Sequence, residues 1–187
     1  MNKFIKRSEV MPKIIENARG LIIDEAKRQI EECGYENVTI RSIAKGCSLG
    51  LGTFYNYFKS KDKLIATFLL EDWQERIGRI CEQSREESDP IKVIKSIHNE
   101  LCEFIEKNKG IFTSPEAIKS FNNTVSSYHK LLRTQIAEPI YNTLVEAGGY
   151  ENCGFLSHFI AEAVLTWSVA KKNFDELEPI FSKILKN

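Results

Sequence analysis

The sequence predicts an all-α protein of about nine helices. Three observations predict it. Apolar residues recur at three- and four-residue spacings along most of the chain, and no stretch shows a convincing strand pattern. Asp89-Pro90 and Ser114-Pro115 each place a capping side chain before a proline, the pairing that opens a helix. Glycines at 34, 110 and 148–149 stand just past periodic apolar runs, where helices stop.

The elements follow in order. Ile22, Ile23, Ala26, Ile30 and Cys33 share one helical face, and Gly34 ends that helix. It starts either as early as Pro12, since Ile14, Ile15 and Ala18 extend the pattern, or only after Gly20. Thr39 caps a second helix that turns Ile40, Ile43 and Ala44 inward and ends at Cys47. Gly50 caps a third over residues 51–58, and Ser60 caps a fourth running through Leu64, Ile65, Phe68, Leu69 and Trp73 toward Ser84. After a polar stretch at 83–88, a fifth helix spans residues 90–109, with Gly110 as its stop. A short helix over 114–121 and a longer one over 123–146 come next, the latter kinked or broken at Pro139. Residues 155–170 are apolar nearly all round, which calls for cover on more than one side, and a partner subunit would supply it. The last helix, 175–186, places Leu177, Ile180, Phe181, Ile184 and Leu185 on one stripe.

Composition narrows the class. The chain has 187 residues, 42% hydrophobic, enough for one or two compact units. No apolar run approaches the ~18 residues that cross a bilayer. Residues 1–13 are basic but lead into no apolar run, so the expectation is a cytoplasmic protein without a membrane partner. Cys33, Cys47, Cys81, Cys102 and Cys153 show no metal-ligand spacing, nor do His98, His129 and His158. The cysteines are expected as small buried hydrophobes, with Cys47 the first to test as a thiol sensor, and no metal or cofactor is expected. Net charge is zero but uneven: residues 1–63 hold twelve Lys/Arg against eight Asp/Glu, and the remainder fourteen against eighteen. The basic third is the part suited to a polyanion.

Two short helices joined by a few residues around Ser48-Leu49 make a helix-turn-helix. Leu49, Phe54 and Phe58 are spaced to pack inward, which leaves Leu51, Gly52, Thr53, Tyr55, Asn56 and Tyr57 outward. That face has no carboxylate. It offers an apolar contact for a thymine methyl, close backbone approach at Gly52, hydroxyl donors to phosphate and an amide able to read a base edge. Lys59, Lys61 and the helix start at Ser60 add attraction for phosphate.

Residues 22–64 resemble the N-terminal domain of the TetR-type (tetracycline-repressor-type) transcriptional regulators. The resemblance rests on Gly34-Tyr35, Thr39-x-Arg41-x-Ile43-Ala44, Gly52-Thr53-Phe54-Tyr55-x-Tyr57-Phe58 and Ser60-Lys61-x-x-Leu64, which fall at the family's spacing without a gap. The sequence departs from the family at Ser48, where glycine is usual, at Gly50, where a serine-like cap is usual, and at Ser42, where an acid is common and whose absence implies a missing capping box. About twenty residues precede the resembling segment and carry Lys3, Lys6, Arg7, Lys13 and Arg19, a possible basic arm.

The resemblance implies an N-terminal arm and three-helix helix-turn-helix DNA-binding domain over residues 1–63, and a C-terminal effector-binding and dimerisation domain over 64–187. By position, Thr39 and Arg41 would contact DNA from the second helix, Leu51, Gly52, Thr53 and Asn56 would face bases or sugars, and Tyr55, Tyr57 and Lys61 would hold phosphate. The last two helices would pair two copies, through Phe155, Phe159, Ala163, Leu177, Phe181 and Ile184. Candidate effector contacts are Phe68, Trp73, Phe104, Tyr128, Tyr141 and Trp167; with no buried charge evident, a largely apolar or aromatic small molecule is expected. The function implied is a dimeric repressor on a near-palindromic duplex operator, not an enzyme. An activator of the same fold, a thiol-dependent enzyme built on Cys102 and His98, and a helical protein-binding adaptor are the alternatives.

Overall fold

The computed structural model describes residues 17–185, and within a long helix it describes the backbone but not the side chains of residues 118 and 120–129. The possible arm up to residue 16 lies outside this range, as do the side chains of Tyr128 and His129. Among the described residues there are nine α-helices, one 3-10 turn and no strand. No helix among them is long and apolar enough to cross a membrane.

Local chemistry sets the first four helices. α1, Ala18–Cys33, starts at Asn17, whose side chain accepts from the Gly20 amide, and ends at Gly34 with φ 80°, a conformation that favours glycine. The 3-10 turn Tyr35–Asn37 follows and buries Tyr35 completely. α2 is Ile40–Gly46 and α3 is Leu51–Tyr57. Ser48, between them, sits at φ 56°, the left-handed position that explains a preference for glycine there. α4, Lys61–Ser84, is capped by Ser60, which accepts from the Lys63 amide at 3.1 Å.

The middle of the chain departs from expectation. α5, Pro90–Lys107, stops before Gly110, because the Asn108 side chain donates to the Phe104 carbonyl at 2.9 Å and closes the last turn. Gly110 instead lies inside a short helix, α6, Lys109–Phe112. The two helices expected over 114–146 are one: α7 runs unbroken from Pro115 to Ala147 and passes through Pro139. Ile136, Ala137, Ile140 and Leu144 pin that stretch to the core on both sides of the proline, and the Thr143 hydroxyl donates to the Pro139 carbonyl at 3.0 Å. α8 is Cys153–Val169 and α9 is Phe174–Ile184.

Two hydrophobic cores result. One joins Ile22, Ile30, Tyr35, Ile43, Leu49, Phe54 and Phe58 to Leu64, Ile65 and Phe68 of α4, and takes in Ile111 and Ala117. The other gathers Trp73, Ile77 and Ile80 of α4 with residues of α5, α8 and α9 and with Ile136, Ala137, Ile140 and Leu144 of α7. Thus α4 passes from the first core into the second, and α7 places Ala117 in the first and those four residues in the second.

A buried ionic cluster ties α4 to α5, against the expectation of no buried charge. Arg76 is 8% exposed and donates to Glu100 at 2.7 Å, with Asp72 at 3.6 Å. Burial pulls the Arg76 pKa down, but Glu100 and Asp72 outweigh it and leave the pKa raised. Burial likewise pushes Asp72 up, and the bond and charge of Lys107, with Arg76, hold it below the ordinary carboxylate value. Breaking one partner of such a pair costs more than the pair contributes, because a charge is left buried.

Candidate nucleic-acid interface

α3 has only seven residues, too few to be stable alone. It is held because Phe54 is fully buried and Phe58, its C-cap, is 4% exposed, while the Leu49 amide bonds the Ala44 carbonyl at 2.8 Å across the turn. The same anchoring faces the rest outward. Leu51, Gly52, Tyr55, Asn56 and Tyr57 are exposed and Thr53 is half-buried. Among the described residues, none of these side chains makes a hydrogen bond or ion pair within the protomer; Tyr55 meets only the edge of the Phe54 ring. A Cβ built on Gly52 would find nothing within 4 Å, so the open space beside its backbone is outside the protein, not needed by its packing.

α2 is fixed more firmly than expected. The Thr39 amide donates to the Ser42 hydroxyl at 3.0 Å and the Ser42 amide donates to the Thr39 hydroxyl at 3.0 Å, so the capping box is present with serine in the usual place of an acid. Ser42 also bonds Gln29 Oε1 at 2.7 Å, and Gln29 Nε2 donates to Glu25 at 2.7 Å, which ties the start of α2 to α1. Arg28, then Gln29, hold the Glu25 carboxyl down at about 2. Arg41 and Lys45, one turn apart on α2, are exposed and carry no ion pair among the described residues.

Lys61, expected to hold phosphate, already has partners within the protomer. Its ammonium donates to the Tyr35 carbonyl at 3.1 Å, lies 3.9 Å from the centre of the Tyr35 ring and pairs with Glu116 of α7 at 3.4 Å. The Tyr35 hydroxyl in turn donates to Asp62 at 2.7 Å. The Ser114 hydroxyl, which caps α7, donates to Glu36, the residue after Tyr35, and further along α4 Glu71 pairs with Arg19 of α1.

The other candidate residues separate. Trp73 and Phe104 meet edge-to-face at 5.6 Å in the body core, and Trp73 Nε1 donates to Gln135 at 3.2 Å. Phe68 belongs to the head core, Trp167 is half-buried near the end of α8, and Tyr141 is 43% exposed on α7. Two cavities, of about 330 Å³ beside Cys102 and Lys171 and about 200 Å³ beside Ser84 and Lys92, are lined by none of these aromatics. On α8, Phe155 is 75% exposed and Phe159 half-exposed, their rings stacked 6.5 Å apart, and Ala163 is half-buried. Ile184 is exposed, as is Ile180, which the sequence placed on the same stripe. Leu177 and Phe181 are buried with Phe174 in the protomer's own core, so they are not free to meet a partner. The apolar stripe of α9 is wide enough to serve two sides, and 174, 177 and 181 take the inner one.

The cysteine expectations are corrected in part. Cys33 is exposed and the other four are half-buried. Burial, then the Glu25 charge, push the Cys47 thiol up, and Cys47 Sγ donates to the Leu21 carbonyl at 3.3 Å, an environment unlike that of a reactive thiolate. Cys102 Sγ lies 3.7 Å from His98 Nε2, but burial raises its pKa and the group that holds His98 is the Lys172 backbone carbonyl, not an acid.

An all-α head with a capped helix-turn-helix and an outward face lacking carboxylates has the build of a unit that can enter a duplex groove. Residues 22–67 match the profile of the bacterial regulatory proteins of the tetR family. The HTH-type transcriptional regulator UidR of Escherichia coli (strain K12) is 31% identical over 64 residues, which are 34% of this chain and 33% of UidR. The chain thus spans about a third of the length of the curated relative it matches, and that likeness is one of heads. Fold likeness extends further. A TetR-family regulator from Streptomyces coelicolor superposes with a TM-score of 0.59 at 14% identity, over 89% of this chain and 96% of that one. FadR from Bacillus subtilis, solved with stearoyl-CoA, gives 0.50 at 22%, over 81% and 88%. Residues 22–67 thus match a tetR-type head, and the chain as a whole shares the fold of the TetR-family structures.

Proposed function

We propose that the protein acts as a homodimeric repressor that places the α3 face of each copy in the major groove of a near-palindromic operator and is released by a small, largely apolar or aromatic effector. The observation that carries the DNA reading is the outward face at 51–57: backed by the buried Phe54 and Phe58, free of carboxylates, and with no side-chain hydrogen bond or ion pair among the described residues. Thr39 and Arg41 at the start of α2 stand ready for the backbone or flanking bases, and Tyr55 and Tyr57 for phosphate. The head, residues 1–63, is the reading unit, and residues 64–187 bind effector and partner.

Pairing is supported by Phe155, Phe159, Ile180 and Ile184, large apolar side chains left exposed on α8 and α9. Two heads so clamped must sit about 34–36 Å apart, or a simple multiple, to meet successive major grooves. The effector must bind the other spacing better, with a coupling of about 1–3 kcal/mol as a typical scale. The aromatic pair Trp73–Phe104 lies on α4 and α5, where a bound apolar ligand would displace the strut that enters the head core. FadR was solved with an acyl-CoA, and since its likeness to this chain is one of fold, long-chain acyl thioesters are only the first class to screen.

The test is selection of bound duplexes from random or upstream genomic DNA, followed by a screen for small molecules that release them. The expected result is an enriched inverted repeat bound by a dimer. Recovery of unenriched sequence with no dependence of affinity on salt would favour the adaptor reading.

A further inference from the structure

We infer that Lys61 has two alternative anionic partners, the Glu116 carboxylate in the free protein and a DNA phosphate in the complex, so that the first turn of α7 competes with DNA for one ammonium. The inference rests on the proposed DNA reading and deepens it by naming a residue outside the interface that sets affinity.

Lys61 has little room for a further partner, since its side chain is only 17% exposed. An ammonium has three donors and no acceptor. Here one reaches the Tyr35 carbonyl at 3.1 Å, one the Glu116 carboxylate at 3.4 Å, and the group sits 3.9 Å from the centre of the Tyr35 ring. Tyr35 cannot give way, since its ring is fully buried and its hydroxyl is held by Asp62. Glu116 can: its side chain is 57% exposed, and its contact is the longer of the two bonds. A phosphate approaching the N-terminus of α4 next to α3 therefore displaces Glu116, both by replacing it on the ammonium and by repelling a like charge. Lys61 is also the first residue of a 24-residue helix whose N-terminal amides and dipole favour an anion.

The exchange links the operator to the body. Ala117, one residue after Glu116, is buried in the head core, and Ser114 holds Glu36. Releasing Glu116 loosens one of the ties between α7 and the head. By linkage, any effector that draws the start of α7 toward Lys61 weakens DNA binding by the same factor that DNA weakens effector binding.

The experiment is a double-mutant cycle on a selected duplex, with affinity measured against salt for the parent chain, Glu116→Gln, Lys61→Met and the pair. Glu116→Gln is expected to bind about two- to five-fold tighter at low salt, the range set by one exposed ion pair. Because Lys61 meets the phosphate in both complexes, the log–log salt slope of Glu116→Gln should differ from the parent's by less than the ~0.9 of one whole phosphate contact per protomer, whereas Lys61→Met should lose that contact. In the Lys61→Met background the same change should alter affinity less than about 1.5-fold, because the competition has lost its object. Equal binding by Glu116→Gln and parent overturns the inference, and so does an equal gain in both backgrounds, which would mark a general charge effect. A parent chain that binds no duplex in a salt-dependent way would instead sink the DNA reading itself. Thermal melts of all four proteins report whether each is folded.

Discussion

Thr39 and Ser42 cap each other: each backbone amide donates to the other's hydroxyl at 3.0 Å. Ser42 also reaches Gln29 on α1, so a single hydroxyl orders the first turn of α2 and docks it. Ser42→Ala should therefore lower stability by about 1 kcal/mol, within the range of cap losses, as read by chemical denaturation. Ser42→Glu, which restores a longer acceptor but removes the Gln29 contact, should recover part of that loss.

Gly52 separates folding from reading. Its missing side chain faces open space, and glycine inside a helix costs roughly 0.5–1 kcal/mol relative to alanine. Gly52→Ala should keep or slightly raise thermal stability while weakening operator binding, because the added methyl meets the duplex. A variant that melts higher and binds DNA as the parent does would show that the backbone at 52 does not approach the nucleic acid.

The two sides of α9 and the outer face of α8 predict opposite phenotypes. Phe181 is 1% exposed, and Phe181→Ala should destabilise each protomer by about 3–5 kcal/mol. Phe159 is half-exposed, and Phe159→Glu should leave the protomer folded but shift sedimentation from dimer to monomer. Loss of high-affinity operator binding would accompany that shift, since one head alone meets half a site.

Stability should depend on pH through Glu25. Its folded pKa is lowered to about 2 by the bond from Arg28 and then that from Gln29, against about 4.3 for a free glutamate. A depressed carboxylate stabilises the fold above its unfolded pKa, and the contribution disappears as pH falls through the folded one. Glu25→Gln should thus be less stable than the parent near neutrality, with the difference shrinking between about pH 4 and pH 2, measured by denaturant titration at each pH.

The head was readable in the sequence because its determinants are local. Thr39 and Ser60 cap the helices they precede, and the spacing of Phe54 and Phe58 alone turns 51–57 outward. What escaped was set by distant contacts. Gly110 looks like a stop and Pro139 like a kink or break, yet α6 packs Gly110 against Ile30 of α1 and α7 continues through Pro139 without a break. Lys61 looks like a free cation because its partners, Tyr35 and Glu116, lie 26 and 55 positions away. Arg76 was hidden for the same reason, its main acid being on the neighbouring helix. Leu177 and Phe181 share a stripe with Ile180 and Ile184, and periodicity does not say which edge of a short apolar stripe faces inward.

The most direct measurement is the affinity of Tyr55→Ala and Asn56→Ala for a selected duplex, alongside their thermal melts and sedimentation. Both side chains are exposed and form no internal hydrogen bond among the described residues, so the variants should stay folded and keep the parent's association state. Each should weaken binding by about 1–3 kcal/mol, with Asn56→Ala also relaxing sequence preference and Tyr55→Ala weakening all duplexes alike. Parent-like affinity and selectivity in both variants would contradict the assignment of the α3 face to DNA.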